Sequence, residues 1–264
     1  MDILKKGLAP ITDQAWQVIE EESREMLTMH LTARRFVDLD GPNGIAFSAV
    51  SLGQLALPKN QKKDEVQYGI HTVLPLMEVR MPFDLNIWEL DNLHRGKENI
   101  DLTNMEKAAK KIAQFEEQAI YYGFEGGSIQ GLYEKSEHKS RPMPKNAEQT
   151  LKSLPEGIQT LKDNAVDGPY HLIVNPNKWQ EISSYVKGYP LKKQVENMLE
   201  GRVVTCPNIS GMFLVPLRGG HFKLTIGMDL SIGYESHNAK EVKLYFTESF
   251  TFQVLDPAAY IIFE

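Results

Sequence analysis

Residues 222–235 read FKLTIGMDLSIGYE and residues 241–254 read EVKLYFTESFTFQV, and these two stretches decide the fold class. In the first, Phe222, Leu224, Ile226, Met228, Leu230, Ile232 and Tyr234 alternate without a miss against Lys223, Thr225, Gly227, Asp229, Ser231, Gly233 and Glu235. In the second, Val242, Leu244, Phe246, Phe250, Phe252 and Val254 alternate against Glu241, Lys243, Tyr245, Thr247, Ser249, Thr251 and Gln253. A period of two marks a strand with one buried face. At about 3.3 Å per residue each would span on the order of 45 Å, against a usual strand of about 5–6 residues. Glu248 is the single charge on the apolar face of the second. It reads as a residue paired at a seam or subunit contact, with a buried catalytic acid as the alternative. Strands of this length suit an extended molecule that lies along its neighbours.

Working outward, Phe47–Trp88 reads as a long hairpin whose turn is the polar run from Pro58 to Asp64. Its returning strand places Met77, Val79, Met81, Phe83, Leu85 and Ile87 on one side, and Glu78, Arg80, Pro82, Asp84, Asn86 and Trp88 on the other. A long apolar hairpin is unstable alone in water and needs a surface to lie on, such as another subunit. Three-to-four spacing predicts a helix over Thr12–Arg35, capped by Thr12 or Asp13. A second helix, 103–123, opens with the capping box Thr103-Asn-Met-Glu106 and stops at Gly123. Met105, Ala108, Ala109, Ile112, Phe115, Ala119 and Tyr122 form its stripe. Residues 124–148 read as loop, and a helix is expected from Ser153 to about Ala165, because Pro155 would break one begun at Asn146. The middle third, roughly 125–220, adds short strands at Tyr170–Val174, Val203–Thr205 and Met212–Leu217 and helices near 177–186 and 190–199. The whole is α+β.

Composition narrows the function. The chain has 264 residues, 35 acids against 29 bases and a net charge of −6, so it lacks an overall basic footprint for nucleic acid. One cysteine, Cys206, rules out an intrachain disulfide or thiolate cluster. No apolar run approaches the ~18 residues of a membrane span, and the N-terminus lacks a signal-peptide h-region, so a cytoplasmic protein is expected. No phosphate loop, G-x-S-x-G elbow, H-E-x-x-H or E-x-x-H occurs. Asp91 and His94 stand three apart without a third partner, and Cys206 beside Pro207 reads as packing. The sequence offers no active site and no metal site.

At Trp88-Glu-Leu-Asp-Asn-Leu, then Arg95-Gly96, the chain resembles the encapsulins, the linocin-type shell proteins of bacterial nanocompartments. The resemblance continues through Gly168-Pro-Tyr170, Arg218-Gly-Gly220, Asp229-Leu-Ser-Ile-Gly-Tyr-Glu235 and Phe250-Thr-Phe-Gln-Val254, and takes in Ala9-Pro10, Arg34, Phe36-Val37-Asp38 and Gly41-Pro42. It implies the tailed-phage major capsid fold of the Hong Kong 97 type. A discontinuous peripheral domain would comprise 1–47, 88–135 and 221–253, an E-loop 48–87, and an axial domain 136–220 and 254–264. It also implies self-assembly into an icosahedral shell, in the simplest (T=1) case about 60 copies. Such shells hold cargo enzymes, ferritin-like proteins or dye-decolorising peroxidases, for iron storage or oxidative-stress defence.

The resemblance carries site residues too. It places a cargo enzyme's C-terminal peptide in an apolar groove of Leu27, Leu31, Arg34, Asp38, Leu230, Ile232 and Tyr234, with Arg34 and Asp38 pairing its charges. It makes Ser184, Tyr185, Val186, Lys187, Gly188 and Tyr189 the lining of a five-fold pore, with Lys187 attracting anions. Trp88, Arg80 and Tyr189 match positions associated with a flavin, although no cofactor is required. The alternatives are a prophage major capsid protein and a bacteriocin- or peptidase-type enzyme. The net negative charge argues against a nucleic-acid payload, and the missing catalytic motifs against an enzyme.

Overall fold

A computed structural model describes residues 3–264 except Asn60 and Lys63, so part of the expected hairpin turn lies outside the described residues. Helix α1, Asp13–His30, is capped by Thr12, whose Oγ1 accepts from the Ala15 N–H at 3.3 Å. It ends five residues before Arg35. Thr32 and Ala33 leave the helix to donate their hydroxyl and N–H to the buried carboxylate of Glu117. A short 3-10 turn, Ala33–Arg35, leads into β1, Asp38–Asp40.

The expected hairpin divides. Strands β2, Ala49–Ala56, and β3, Ile70–Pro75, pair only with each other and project their side chains into solvent. Strand β4, Met77–Asn86, leaves them for the main sheet, and its burial follows the expected alternation up to Leu85. Ile87 and Trp88 do not continue it. Asn86 Oδ1 accepts from the Glu89 N–H at 3.2 Å and opens the short helix α2, Ile87–Asp91. Trp88 is therefore on a helix and not beside Arg80 on a strand face.

Helix α3, Thr103–Tyr122, runs through the molecule and stops at Gly123, with φ of +85°. The expected capping box does not form: Asp101 Oδ1 accepts from the Thr103 N–H at 3.0 Å, and Thr103 is already helical. A single helical turn follows, α4, Leu132–Lys135. Helix α5, Ala147–Asp163, starts earlier than Pro155 suggested. Asn146 caps it at Gln149 N, and buried Ala147, Thr150, Leu154, Gly157 and Leu161 hold it against the core, which offsets the bond lost at Pro155.

The next elements are β5, Tyr170–Val174, α6, Pro176–Ser184, the two-residue strands β6, Val186–Lys187, and β7, Tyr189–Pro190, and then α7, Leu191–Leu199. Strands β8, Val203–Thr205, and β9, Met212–Pro216, follow. The last segment holds β10, Phe222–Ile226, β11, Ser231–His237, β12, Glu241–Val254, and β13, Ile261–Phe263. One four-stranded sheet has the order β13-β9-β5-β8. In the other, β12 is the spine. Antiparallel β4 covers ten residues of one edge, while β11 and then β10 share the opposite edge, with β1 parallel outside β10.

The long strand expected at 222–235 is thus two strands. Across the break, Ser249 supplies the missing ladder: its Oγ accepts from the Met228 N–H at 2.8 Å, and its N–H donates to Met228 O at 2.9 Å. Gly227 leaves room for this, since a Cβ there would come within 2.4 Å of Ser249 Oγ. The break swings Asp229 out of the strand.

Two apolar cores result. One gathers Ile19, Leu27, Met105, Ile112, Val242, Leu244 and Phe246 between α1, α3 and the main sheet. The other runs from Ile120 and Phe250 through the four-stranded sheet to Leu154 and Leu161 of α5. Helix α3 and strand β12 pass through both. Where they cross from one core to the other, both carry acids: Glu116 and Glu117 on the helix, Glu248 on the strand, all fully buried.

A peptide-sized trough and the buried charges beneath it

Between α1 and β11 lies a trough of about 390 Å³. Leu27, Leu31, Leu230, Ile232 and Phe246 supply its apolar lining, with Ser23 buried among them. Each end is closed by an ion pair that ties the helix side to the strand side. At one end Lys6 Nζ reaches Glu20 at 2.6 Å and sits 5.4 Å above the Trp16 ring, while Leu4 O accepts from the Tyr234 N–H at 2.8 Å. At the other end Arg34 Nη1 donates to Asp229 Oδ1 at 2.9 Å.

Five of the seven residues expected to form a groove line this trough: Leu27, Leu31, Arg34, Leu230 and Ile232. Asp38 and Tyr234 do not. The Asp38 carboxylate accepts from the Gly220 N–H at 2.5 Å and holds the Arg218–Gly220 turn. The Tyr234 ring packs on the core beside the trough, and its hydroxyl meets His237 Nδ1 at 2.6 Å. Sequence reasoning passed over Lys6, Glu20, Ser23, Arg24, Thr28, Asp229, Ser231 and Phe246 as lining residues.

Arg34 is occupied by the protein itself. Its Nε donates to Glu116 at 3.0 and 3.1 Å, and its Nη2 to Glu116 and Glu248 at 2.5 Å each. Burial works against its charge, but the Glu116 hydrogen bond and the charges of Glu116, Glu248 and Asp229 outweigh it and hold Arg34 above its ordinary pKa. Three carboxylates share this one cation. Burial, reinforced by the charge of Glu116, pushes the Glu248 carboxyl above the usual carboxylate range, and the Arg34 guanidinium works against that shift. Its Oε2 has no hydrogen-bond partner. The charge noticed on the strand face is therefore paired at a seam, within the chain.

Beside this cluster, Glu117 accepts from Thr32, from the Ala33 N–H at 2.8 Å and from Cys206 Sγ at 3.4 Å. Burial pushes its carboxyl up to about 7 against those bonds, and burial with the nearby Glu117 charge pushes the Cys206 thiol to about 12. A buried thiol at that value is an inert packing group. Among the described residues no cluster of histidine, cysteine and acidic side chains is arranged to hold a metal ion.

The arrangement as a whole is that of known shell proteins. Residues 1–251 match the family described as the encapsulating protein for peroxidase, Linocin_M18. The chain belongs to the encapsulin shell-protein family. It is 37% identical to the type 1 encapsulin shell protein of Rhodospirillum rubrum, over 98% of this chain and 95% of the relative. It is 36% identical to that of Rhodococcus erythropolis, over 96% of each. Its fold is shared with the virus-like particle protein of Pyrococcus furiosus, at a TM-score of 0.67 and 16% identity over 93% of this chain and 98% of the other. The capsid protein of Myoviridae phage XM1 follows at 0.57 and 11%, over 88% and 91%. This is the phage-capsid fold, and the shell protein is a structural protein, not an enzyme.

The expected pore residues form one exposed feature. Ser184 ends α6, and β6 and β7 make a tight hairpin with Gly188 at its tip, at φ of +78°. Tyr185, Val186 and Tyr189 are exposed on it, while the Lys187 side chain lies outside what is described. The residues matched to a flavin do not come together within the protomer. Arg80 pairs with Glu78 at 2.8 Å and lies 4.8 Å from the Tyr245 ring centre. Along β12, Arg80 stands opposite Thr247 and Asn86 opposite Glu241, a separation on the order of 20 Å. Trp88, 70% exposed, borders a cavity of about 520 Å³ lined by Asp84, Glu89, Asp101 and Glu241 against Lys97 alone. That lining is predominantly acidic.

Proposed function

We propose that the shell protein closes into a cytoplasmic T=1 icosahedron of sixty chains of 30.0 kDa, about 1.8 MDa in all, and that its trough docks the C-terminal peptide of a cargo enzyme on the inner wall. The cargo would be a ferritin-like protein or a dye-decolorising peroxidase, and the compartment would store iron or contain peroxide chemistry. The family's description names a peroxidase as what such proteins encapsulate.

One observation supports the docking reading above the others. The trough is open to solvent and its two ends are closed by ion pairs. Between them an apolar strip of Leu27, Leu31, Leu230 and Ile232 is flanked by the polar side chains of Arg24, Thr28 and Ser231, a setting suited to a short amphipathic peptide. Assembly is supported by the β2–β3 ribbon, where Leu55, Leu57, Val66 and Ile70 are more than half exposed and would be covered by a neighbouring chain at about 25 cal/mol per Å².

The test is co-expression of the shell protein with a candidate cargo enzyme, with and without its C-terminal tail, followed by particle mass and cargo content. Particles near 1.8 MDa that load only tailed cargo are expected. Leu230→Glu, at the half-buried rim of the trough, should leave the particles intact and empty. Equal loading of tailless cargo overturns the docking reading.

A further inference from the structure

The trough has a second property beyond its apolar lining: one of its walls is the edge of a sheet. Among the described residues strand β11 is terminal in the main sheet and its ladder partner is β12. The Tyr234 N–H donates outward to Leu4 O at 2.8 Å, so it faces away from β12. In an antiparallel strand alternate residues present their main chain to the same edge. The N–H and C=O of Ile232, two residues back and in the wall of the trough, therefore face that open edge too. The amino-terminal segment takes the rung at Tyr234, and among the described residues none takes the next one, at Ile232.

An open edge bordered by an apolar floor is the setting in which extended peptides add to sheets, with main-chain bonds giving affinity and alternate side chains giving selectivity. Dimensions agree. From Glu20 to Leu31 the helix wall runs about 16 Å at 1.5 Å per residue, which fits about five residues of extended chain. Both end charges are already paired, so the floor between them takes apolar side chains. Arg24 on the helix wall has no ion pair among the described residues and suits an acid or the carboxyl end of the segment.

Resting on the docking reading above, we propose that the bound segment is a strand: about five extended residues that continue the β11 edge at Ile232 and set every second side chain against Leu27, Leu31 and Phe246. The amino-terminal segment, pinned by Lys6 and Glu20, sets where that added strand must stop.

The proposal is tested with the full-length chain assembled in the presence of synthetic tail peptides in which each amide in turn is N-methylated. Strand addition predicts a period of two: methylation at a rung costs about tenfold in retained peptide, and at the residues between costs little. On the protein side, Ile232→Pro removes the outward N–H and should empty the particles, while Ile232→Val loads normally. Losses that are flat, or that follow a helical period, overturn the strand. Loading that survives deletion of the cargo tail instead overturns the docking reading itself, so the two failures are distinct. If Ile232→Pro does not assemble, the N-methyl series still decides.

Discussion

Glu117 gives the shell protein a pH dependence that can be worked out from its surroundings. Its carboxyl is buried between α3, the end of α1 and Cys206, and sits at about 7 against an ordinary 4.5. Below about pH 4.5 the group is protonated whether the chain is folded or unfolded, and its contribution to stability is fully present. As pH rises from there the unfolded chain releases the proton while the folded chain keeps it, and stability falls until the folded group also ionises near pH 7. At 1.36 kcal/mol per pH unit, the loss across the window is about 3 kcal/mol. Glu117→Gln places a neutral group of the same shape there at every pH. The amide oxygen can still accept from the Ala33 N–H, and the amide nitrogen can donate to the Thr32 hydroxyl. The variant should match the parent near about pH 4.5 and exceed it by about 3 kcal/mol near about pH 8. Denaturant unfolding of both proteins across that range, followed by tryptophan fluorescence, reads the difference directly. Parallel profiles would show that Glu117 is ionised throughout and would refute the account of its burial.

Arg34→Met strands Glu116 and Glu248 in the interior and should cost about 3–5 kcal/mol in the same assay. Adding Glu116→Gln and Glu248→Leu should recover most of that loss, because apolar or neutral groups of similar volume need no cation; a triple variant as weak as the single one would mean that the charges themselves hold the fold. Replacing residues 50–74 with a short Gly-Ser linker removes a ribbon with little buried side-chain surface, so the chain should fold but remain unassembled by light scattering. Particles formed by that variant would show that the ribbon is dispensable.

How much of this was legible in the sequence follows from which forces set each element. Alternation placed β12 and most of β4, and helical spacing placed α1 and α3, because an apolar face buried along a regular element imposes its period on the chain. The errors fall where a local polar contact overrides that period. Helix α1 stops early because Thr32 and Ala33 turn to Glu117, the strand after Phe222 breaks because Ser249 takes over its ladder, and Trp88 leaves the strand because Asn86 caps a helix. Pro155 misled in the other direction: a favoured cap at Asn146 and a buried face outweighed one missing bond. The lining at Lys6 and Glu20 was out of reach, since nothing local ties residue 6 to the wall of a trough. Glu116 was within reach. It follows Ile112 by four and precedes Ala119 by three, which puts an acid on the apolar stripe of α3 much as Glu248 is on that of β12.

Those two acids and Arg34 explain why the shell protein tolerates ions between two apolar cores. A buried ion pair of this kind adds little stability over well-packed hydrophobic residues, so its value must lie elsewhere. Strand β12 is apolar on nearly every inward position, and slipping its pairing with β4 by two residues would return similar side chains to the same face at little cost. The slip would, however, move Glu248 away from Arg34 and into one of the cores, where an unpaired acid is expensive. Glu116 applies the same constraint to α3, and Asp229 to the break between β10 and β11. A single guanidinium thus fixes the registers of helix, strand and break together, and the same break sets Leu230 and Ile232 in the wall of the trough. Where the trough stands relative to α1 is tied to this cluster of charges, two of which, Arg34 and Asp229, close its end.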